Sequence, residues 1–261
     1  MTTIHYEVHP GQGPYLLMVH GFLSSNAQWI ENIDALSQFC RPVTAELFGH
    51  GRSPSPENVE LYHPDHYVSE FEKIRQDLNT TTWFVCGYSL GAALTARYSC
   101  LHFDQVIGHI MTNSNSAFAS ESQSMEWKKT AEKSGDNIQN GGLTAIEKIP
   151  VHPRHSKKLP SRIYAALEQD SALLNPVGIA NTLRATTPNA SIRSLAIENQ
   201  SPALLCWGTQ EKRFSESKVW AETNMPNLEI AEIEAGHAVN MQRPQEFNQT
   251  VQSFLKKCAT S

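Results

Sequence analysis

The run Gly87-Tyr88-Ser89-Leu90-Gly91 sets a serine hydroxyl between two glycines. The pattern alone is weak, because it arises by chance in roughly one chain in ten of this length. Its flanks give it meaning. Trp83-Phe84-Val85-Cys86 reads as a buried strand, and Leu90 to Leu101 as a helix that begins at once. A serine at such an abrupt strand-to-helix turn is held in a strained backbone that pushes its Oγ clear of the sheet. Strand and helix come close together there, hence the small residues Gly87, Gly91, Ala92 and Ala93. The helix N-terminus adds amide donors and partial positive charge beneath the reacting atom. Nucleophilic attack on a carbonyl is the chemistry such a residue can do.

A neutral hydroxyl needs a base, and the base needs a third group to orient it. Behind an elbow of this kind the acid and then the histidine follow along the chain. Of 11 histidines, that order leaves His102, His109, His152, His155 and His237. His102 and His109 lie in or beside the helix and strand after the serine, and His152 and His155 in a basic stretch. His237 falls within Glu234-Ala235-Gly236-His237-Ala238, between a terminal strand and the last helix. From there an imidazole can reach back across the strand ends, so His237 is the expected base. The acid belongs in Gly208-Thr209-Gln210-Glu211-Lys212-Arg213-Phe214. No aspartate follows Asp170, which makes Glu211 the expected carboxylate, with Glu216 and Glu198 as weaker substitutes. Glutamate can fix the imidazole tautomer and stabilise imidazolium.

A tetrahedral intermediate also requires donors aimed at its developing charge. One is expected from the backbone N–H of Leu90, directly after the serine. The other is expected from Phe22 in His20-Gly21-Phe22-Leu23-Ser24-Ser25, where Gly21 allows the amide to turn inward. His20 reads as a structural histidine holding that loop.

The elements that must position these groups alternate in type. Strands are expected at Ile4 to Val8, Tyr15 to Val19, Pro42 to Leu47, Trp83 to Tyr88, Val106 to Thr112, Ala203 to Trp207 and Leu228 to Ile233. Helices are expected at Ala27 to Phe39, Asp65 to Leu78, Leu90 to Leu101, Ser215 to Thr223 and Pro244 to Lys257, with Asp65 as an N-cap. Short apolar runs alternating with helices predict an α/β fold, a mostly parallel sheet covered on both faces. The alternation stops after Thr112 and resumes at Pro202. We therefore expect a core of residues 1–112 and 202–261 with an inserted cap at 113–201, polar and irregular at first and helical in patches such as Arg162 to Leu174. Phe118, Met125 and Trp127 are its expected substrate-binding residues, lining an apolar acyl pocket. The basic stretch Val151 to Lys158 is either a solvated loop or a site for an anionic substrate group or acyl carrier.

Composition narrows the classes. The chain has 261 residues, 40% hydrophobic, and a net charge of −5, which supports a sizeable core and argues against nucleic-acid or anionic-membrane partners. Met1 to His5 lack the basic and apolar regions of a signal peptide, and no apolar run approaches the ~18 residues of a membrane span, so a cytoplasmic protein is expected. Five cysteines show neither paired nor metal-ligand spacing; Cys86 and Cys206, inside apolar runs, read as small hydrophobes. No metal and no organic cofactor is expected. The expected partner is a small-molecule acyl substrate, with the oligomeric state open.

Together these motifs resemble the α/β-hydrolase superfamily over nearly the whole core. The resemblance rests on His20-Gly21-Phe22 with Trp29, Gly49-His50-Gly51-Arg52-Ser53, the serine elbow, Gly208 to Phe214 and Gly236-His237. Within the superfamily the chain is similar to small bacterial serine esterases and to MenH-like proteins. It departs from the common pattern at Glu46-Leu47, where an Asp is usual, and at Phe48, where Pro is. It also has Ala93 where the MenH type carries an arginine. The resemblance implies a Ser-His-Glu hydrolase forming an acyl-enzyme from an ester, thioester or lactone. Its alternatives are a MenH-like lyase or carbon–carbon hydrolase with the same triad, or a non-catalytic binding protein.

Overall fold

The computed structural model describes residues 3–259. Its strands are Tyr6–Val8 (β1), Tyr15–Val19 (β2), Arg41–Ala45 (β3), Trp83–Gly87 (β4), Val106–Thr112 (β5), Ala203–Gly208 (β6) and Leu228–Ile233 (β7). They form one sheet in the order β1-β3-β2-β4-β5-β6-β7. β1 runs antiparallel to β3, and every other pairing is parallel. The carboxyl ends of the parallel strands thus share one side of the sheet, where ligands of such sheets bind.

The helices are Ile30–Leu36 (α1), Pro64–Asp77 (α2), Leu90–Leu101 (α3), Glu121–Ile146 (α4), Ser161–Ser171 (α5), Pro176–Asn181 (α6), Arg193–Ala196 (α7), Ser215–Asn224 (α8), Val239–Gln242 (α9) and Pro244–Ala259 (α10). Period-two alternation in the strands creates two cores. From β2, Leu17 and Val19 face a layer with Phe71 of α2 and Tyr98 of α3. Leu16 and Met18 face the other, with Leu36 of α1 and Phe247, Val251 and Phe254 of α10. Cys86 and Cys206 are fully buried in that second layer, where desolvation raises their thiol pKa values. Among the described residues no helix is long and apolar enough to cross a membrane.

Several boundaries differ from expectation, each for a local reason. Ile4 is buried but lies outside β1, its N–H donating to Glu70 Oε2 at 3.1 Å. β3 ends at Ala45 because the Leu47 amide turns to His20 Nε2 at 3.1 Å. The expected helix from Ala27 opens as a 3₁₀ turn, Asn26–Trp29, before α1. His63, not Asp65, caps α2, accepting from the Asp65 N–H at 3.3 Å, with Pro64 in the first turn; the Asp65 carboxylate instead binds Arg97 at 2.6 Å.

The insertion between β5 and β6 holds the largest correction. Where irregular chain is expected, α4 runs for 26 residues. Ser120 and Gln123 close a reciprocal capping box at its start, and Ala131, Gly135, Ile138 and Ile146 form its buried stripe. Gly142, at φ 59°, interrupts the helix near its end. The insertion is tied to the core at several points, among them the Ser25 hydroxyl, which donates to Asp170 Oδ2 at 2.6 Å. The Asn175 N–H donates to Gly49 O at 3.0 Å, and Thr186 Oγ1 to Tyr62 O at 2.7 Å. Gly49 and Gly178 touch so closely that a Cβ on Gly178 would lie 2.4 Å from the Gly49 Cα. Not all of 113–201 caps the sheet: Ala117, Phe118, Ile192 and Ala196 belong to the core layer of α3.

Candidate active site

Ser89 sits between β4 and α3 with φ 52° and ψ −115°, a left-handed conformation costing a non-glycine residue about 1–3 kcal/mol. Its surroundings hold it there. Its carbonyl accepts from Ser114 Oγ at 2.6 Å, and its N–H lies 3.4 Å from Thr112 Oγ1. The flanking residues can only be glycine. A Cβ at 87 would fall 2.3 Å from Thr95 Oγ1, and one at 91 would fall 2.3 Å from the Val19 carbonyl oxygen.

His237 lies on the loop after β7, and Glu211 on the loop after β6. The Ser89 hydroxyl donates to His237 Nε2 at 2.9 Å, and His237 Nδ1–H donates to Glu211 Oε2, also at 2.9 Å. The two loops meet at Gly208, where a Cβ would stand 2.2 Å from the Gly236 oxygen. Tyr88 packs its ring edgewise on the imidazole at 5.2 Å. Neither Glu216 nor Glu198 touches His237.

Asn113, at the end of β5, is a site residue that sequence reasoning missed. Fully buried, it donates from Nδ2 to Glu211 Oε2 at 2.7 Å and to Gly208 O at 3.1 Å, and accepts the Gly208 N–H at 2.9 Å. It therefore orients both the carboxylate and the loop that carries it. Burial pushes the Glu211 carboxyl up, but the His237 hydrogen bond and charge, with the Asn113 amide, outweigh it and hold the group below the ordinary carboxylate range. The one available signal is an amide following the last apolar residues of β5.

The loop after β2 crosses beside the serine; a Cβ on Gly21 would lie 2.7 Å from the Tyr88 ring and 3.1 Å from the Ser89 Cβ. Two neutral histidines shape it. His20 donates from Nδ1 to Gly21 O at 2.7 Å and accepts the Leu47 amide, while burial lowers its pKa to about 4. His50 accepts the Leu23 N–H at 3.1 Å and donates to Phe48 O at 3.0 Å; burial, then the neighbouring His20, lowers its pKa to about 3. These bonds leave the Phe22 amide without an acceptor among the described residues. The Leu90 amide opens α3, where no intrahelical acceptor exists. Phe22, Ser89 and Leu90 line the same cavity.

The sequence departures at 46–48 have structural explanations. Glu46, fully buried, accepts from the Arg52 N–H at 2.6 Å, the Asn26 N–H at 3.3 Å and Arg52 Nη1 at 3.1 Å, closing the loop that presents His50. Phe48 joins an aromatic cluster with Tyr62 and Tyr67, both at 5.6 Å between ring centroids.

A cavity of about 450 Å³ opens above Ser89. Its apolar wall comes from the insertion, through Val151, Leu159, Leu167 and Leu183, and from Met241 on the core. The residues expected to line it do not. Phe118 precedes α4 and is buried against Phe214 and Trp220 in the core. Met125 is 53% exposed and Trp127 half-buried on α4, and neither borders the cavity. The rotation of α4 turns Ala131, Gly135 and Ile138 inward and leaves the Met125 turn outside.

Residues 14–244 match the family model of the alpha/beta hydrolase fold, and the chain belongs to that family. It is 24% identical over 253 residues to a Bacillus subtilis (strain 168) protein named as a 2-succinyl-6-hydroxy-2,4-cyclohexadiene-1-carboxylate synthase, covering 94% of this chain and 92% of that one. It is 25% identical over 251 residues to Carboxylesterase YbfK of the same organism, covering 94% and 81%. Among solved structures, MenH from S. aureus superposes with a TM-score of 0.84 at 20% identity, over 98% of this chain and 99% of that one.

Proposed function

We propose that this chain is a serine hydrolase that cleaves a carboxylic ester, or a thioester or lactone, through an acyl-enzyme. Ser89 Oγ attacks the carbonyl carbon while His237 Nε2 takes its proton. Glu211 holds the imidazole and stabilises imidazolium, and the Phe22 and Leu90 amides receive the oxyanion. His237 then returns the proton to the leaving group; water repeats the sequence and frees the acid. The carrying observation is the unbroken hydrogen-bond chain from Ser89 through His237 to Glu211, at 2.9 Å in each link, beneath a largely apolar cavity. The similarity to Carboxylesterase YbfK over most of both chains supports the same reading. A small-molecule acyl substrate and a cytoplasmic location complete it.

A second reading, elimination by the same triad, is supported by the likeness to the synthase over 94% of the chain. Ala93, where the MenH type has an arginine, weighs against it. A fluorophosphonate probe and a panel of p-nitrophenyl esters test the proposal together. We expect stoichiometric labelling of Ser89 and burst release of nitrophenol. A labelled serine without ester turnover would favour elimination, and an unlabelled one a binding protein.

A further inference from the structure

Beside the first cavity lies a second hollow of about 770 Å³ that borders His237 but not Ser89. The two share Tyr88, Val151, Ser156, Leu159, His237 and Ala238, so they are halves of one cleft. Their linings differ. The first is mainly apolar, and its single Arg or Lys is Arg213, near the Glu211 carboxylate; the second takes in Arg154, His155, Lys157 and Lys158 of the basic stretch, with Glu168 its one carboxylate. Arg154 is paired with Glu147, and His155 Nε2 donates to the Glu147 carbonyl at 2.9 Å. Lys157 and Lys158 are exposed and make no ion pair among the described residues. Glu168 already accepts the Tyr164 hydroxyl at 3.0 Å. In a chain of net charge −5, this cation-lined hollow is a local exception.

We propose that this half of the cleft is a leaving-group subsite for substrates whose departing alcohol or thiol carries a carboxylate or phosphate, held by Lys157 and Lys158. The inference rests on the serine-hydrolase reading and names its substrate class. Position supplies the argument. The acyl carbon must reach Ser89 and the oxyanion donors, so the acyl chain occupies the aliphatic half. The group expelled takes its proton from His237 Nε2 and leaves past His237, into the half that His237 borders without Ser89. No step beyond the proposed order of proton transfers is needed. Opposite charge in a concave site raises encounter and binding, and does so less as salt screens it.

The test compares butyryl esters of glycolate, 2-hydroxyethyl phosphate and the neutral glycolamide. We expect kcat/KM for the two anionic esters to exceed that for the neutral one by roughly tenfold at low ionic strength, mainly through KM. The ratio should shrink toward one in about 0.5 M NaCl. The relative rates of glycolate and phosphate esters identify the preferred anion. The double variant Lys157→Gln, Lys158→Gln should bring the ratio near one, and Lys157→Glu, Lys158→Glu should invert it; because each variant serves as its own reference, a change in folded fraction cancels. Equal kcat/KM for all three esters, or a preference that survives both double variants, overturns this inference alone and leaves a solvated basic loop. Hydrolysis of none of the three while p-nitrophenyl esters are turned over likewise overturns this inference alone; no turnover of any ester together with no labelling of Ser89 overturns the hydrolase reading and this inference with it.

Discussion

The sheet core and the insertion between β5 and β6 build opposite walls of the same cleft by different means. On the core side, backbone approaches backbone: hypothetical Cβ atoms at Gly87, Gly91 and Gly208 would fall 2.2–2.3 Å from their neighbours. Hydrogen bonds donated by Ser114, Asn113 and His20 and accepted by His50 then leave each functional group little choice of position. On the insertion side, the wall consists of aliphatic side chains and, farther out, solvated lysines. The lesson is a division of tolerance. Sub-ångström placement of a nucleophile and its base needs close-packed main chain, whereas a pocket for an acyl group needs only volume and apolar surface. Substitutions in the two regions should therefore differ both in size and in kind.

Ser89→Ala should produce the largest effect, a fall in kcat on the order of 10⁴- to 10⁶-fold with the unfolding midpoint almost unchanged. More than a few per cent residual turnover would remove Ser89 from the mechanism and, with it, the core's claim to the chemistry. Glu211→Gln keeps the shape but cannot stabilise imidazolium. It should lower kcat by about 10⁴-fold with little change in KM, and near-normal activity would mean that another group orients His237.

Acid should separate the core further. Burial lowers the pKa of His20 to about 4 and of His50 and His109 to about 3, each from an ordinary value near 6.5. The unfolded chain thus binds more protons than the folded one below pH ~6.5, so stability falls as pH drops from there toward 4 and is flat above it. Urea denaturation across this range measures the slope. His109, whose Nδ1 has no hydrogen-bond partner among the described residues, takes no part in the proposed mechanism, and His109→Gln should make the curve shallower; an unchanged slope would clear His109 as a source of it.

Smaller changes are expected from the opposite wall. Leu183→Ala deepens the aliphatic half of the cleft and should shift preference toward longer acyl chains by roughly tenfold, with the rate on acetyl esters little altered. A uniform loss across chain lengths would show that Leu183 supports the fold instead. Smallest of all, Met125→Ala and Trp127→Ala should leave chain-length preference within about twofold, since neither side chain borders the cavity; a marked shift would mean that α4 turns in solution.

What is local in this chain is legible in its sequence. A buried strand, a Gly-x-Ser-x-Gly turn and an immediate helix are contiguous, so the elbow is written in residues 83–101. The parallel α/β sheet follows from alternating apolar runs, with β2, β5 and β7 and helix α3 starting and ending where the pattern predicts. His237 and Glu211 could be singled out because chain order and the absence of later aspartates left few alternatives. Asn113 could not, since its role exists only where the ends of β5 and β6 lie side by side. The capping box at Ser120 and Gln123 is present in the sequence, but the polar surface of α4 hides the narrow buried stripe that makes it a helix. Which of its side chains are buried depends on helix rotation against α6, a property of packing rather than of composition, and none of them borders the cleft. The same folding brings Leu159, Leu183 and the two lysines to the mouth of the site, and leaves Phe118, Met125 and Trp127 elsewhere. Contacts across long stretches of chain are chosen by the shapes that meet, and those shapes exist only once the chain is folded.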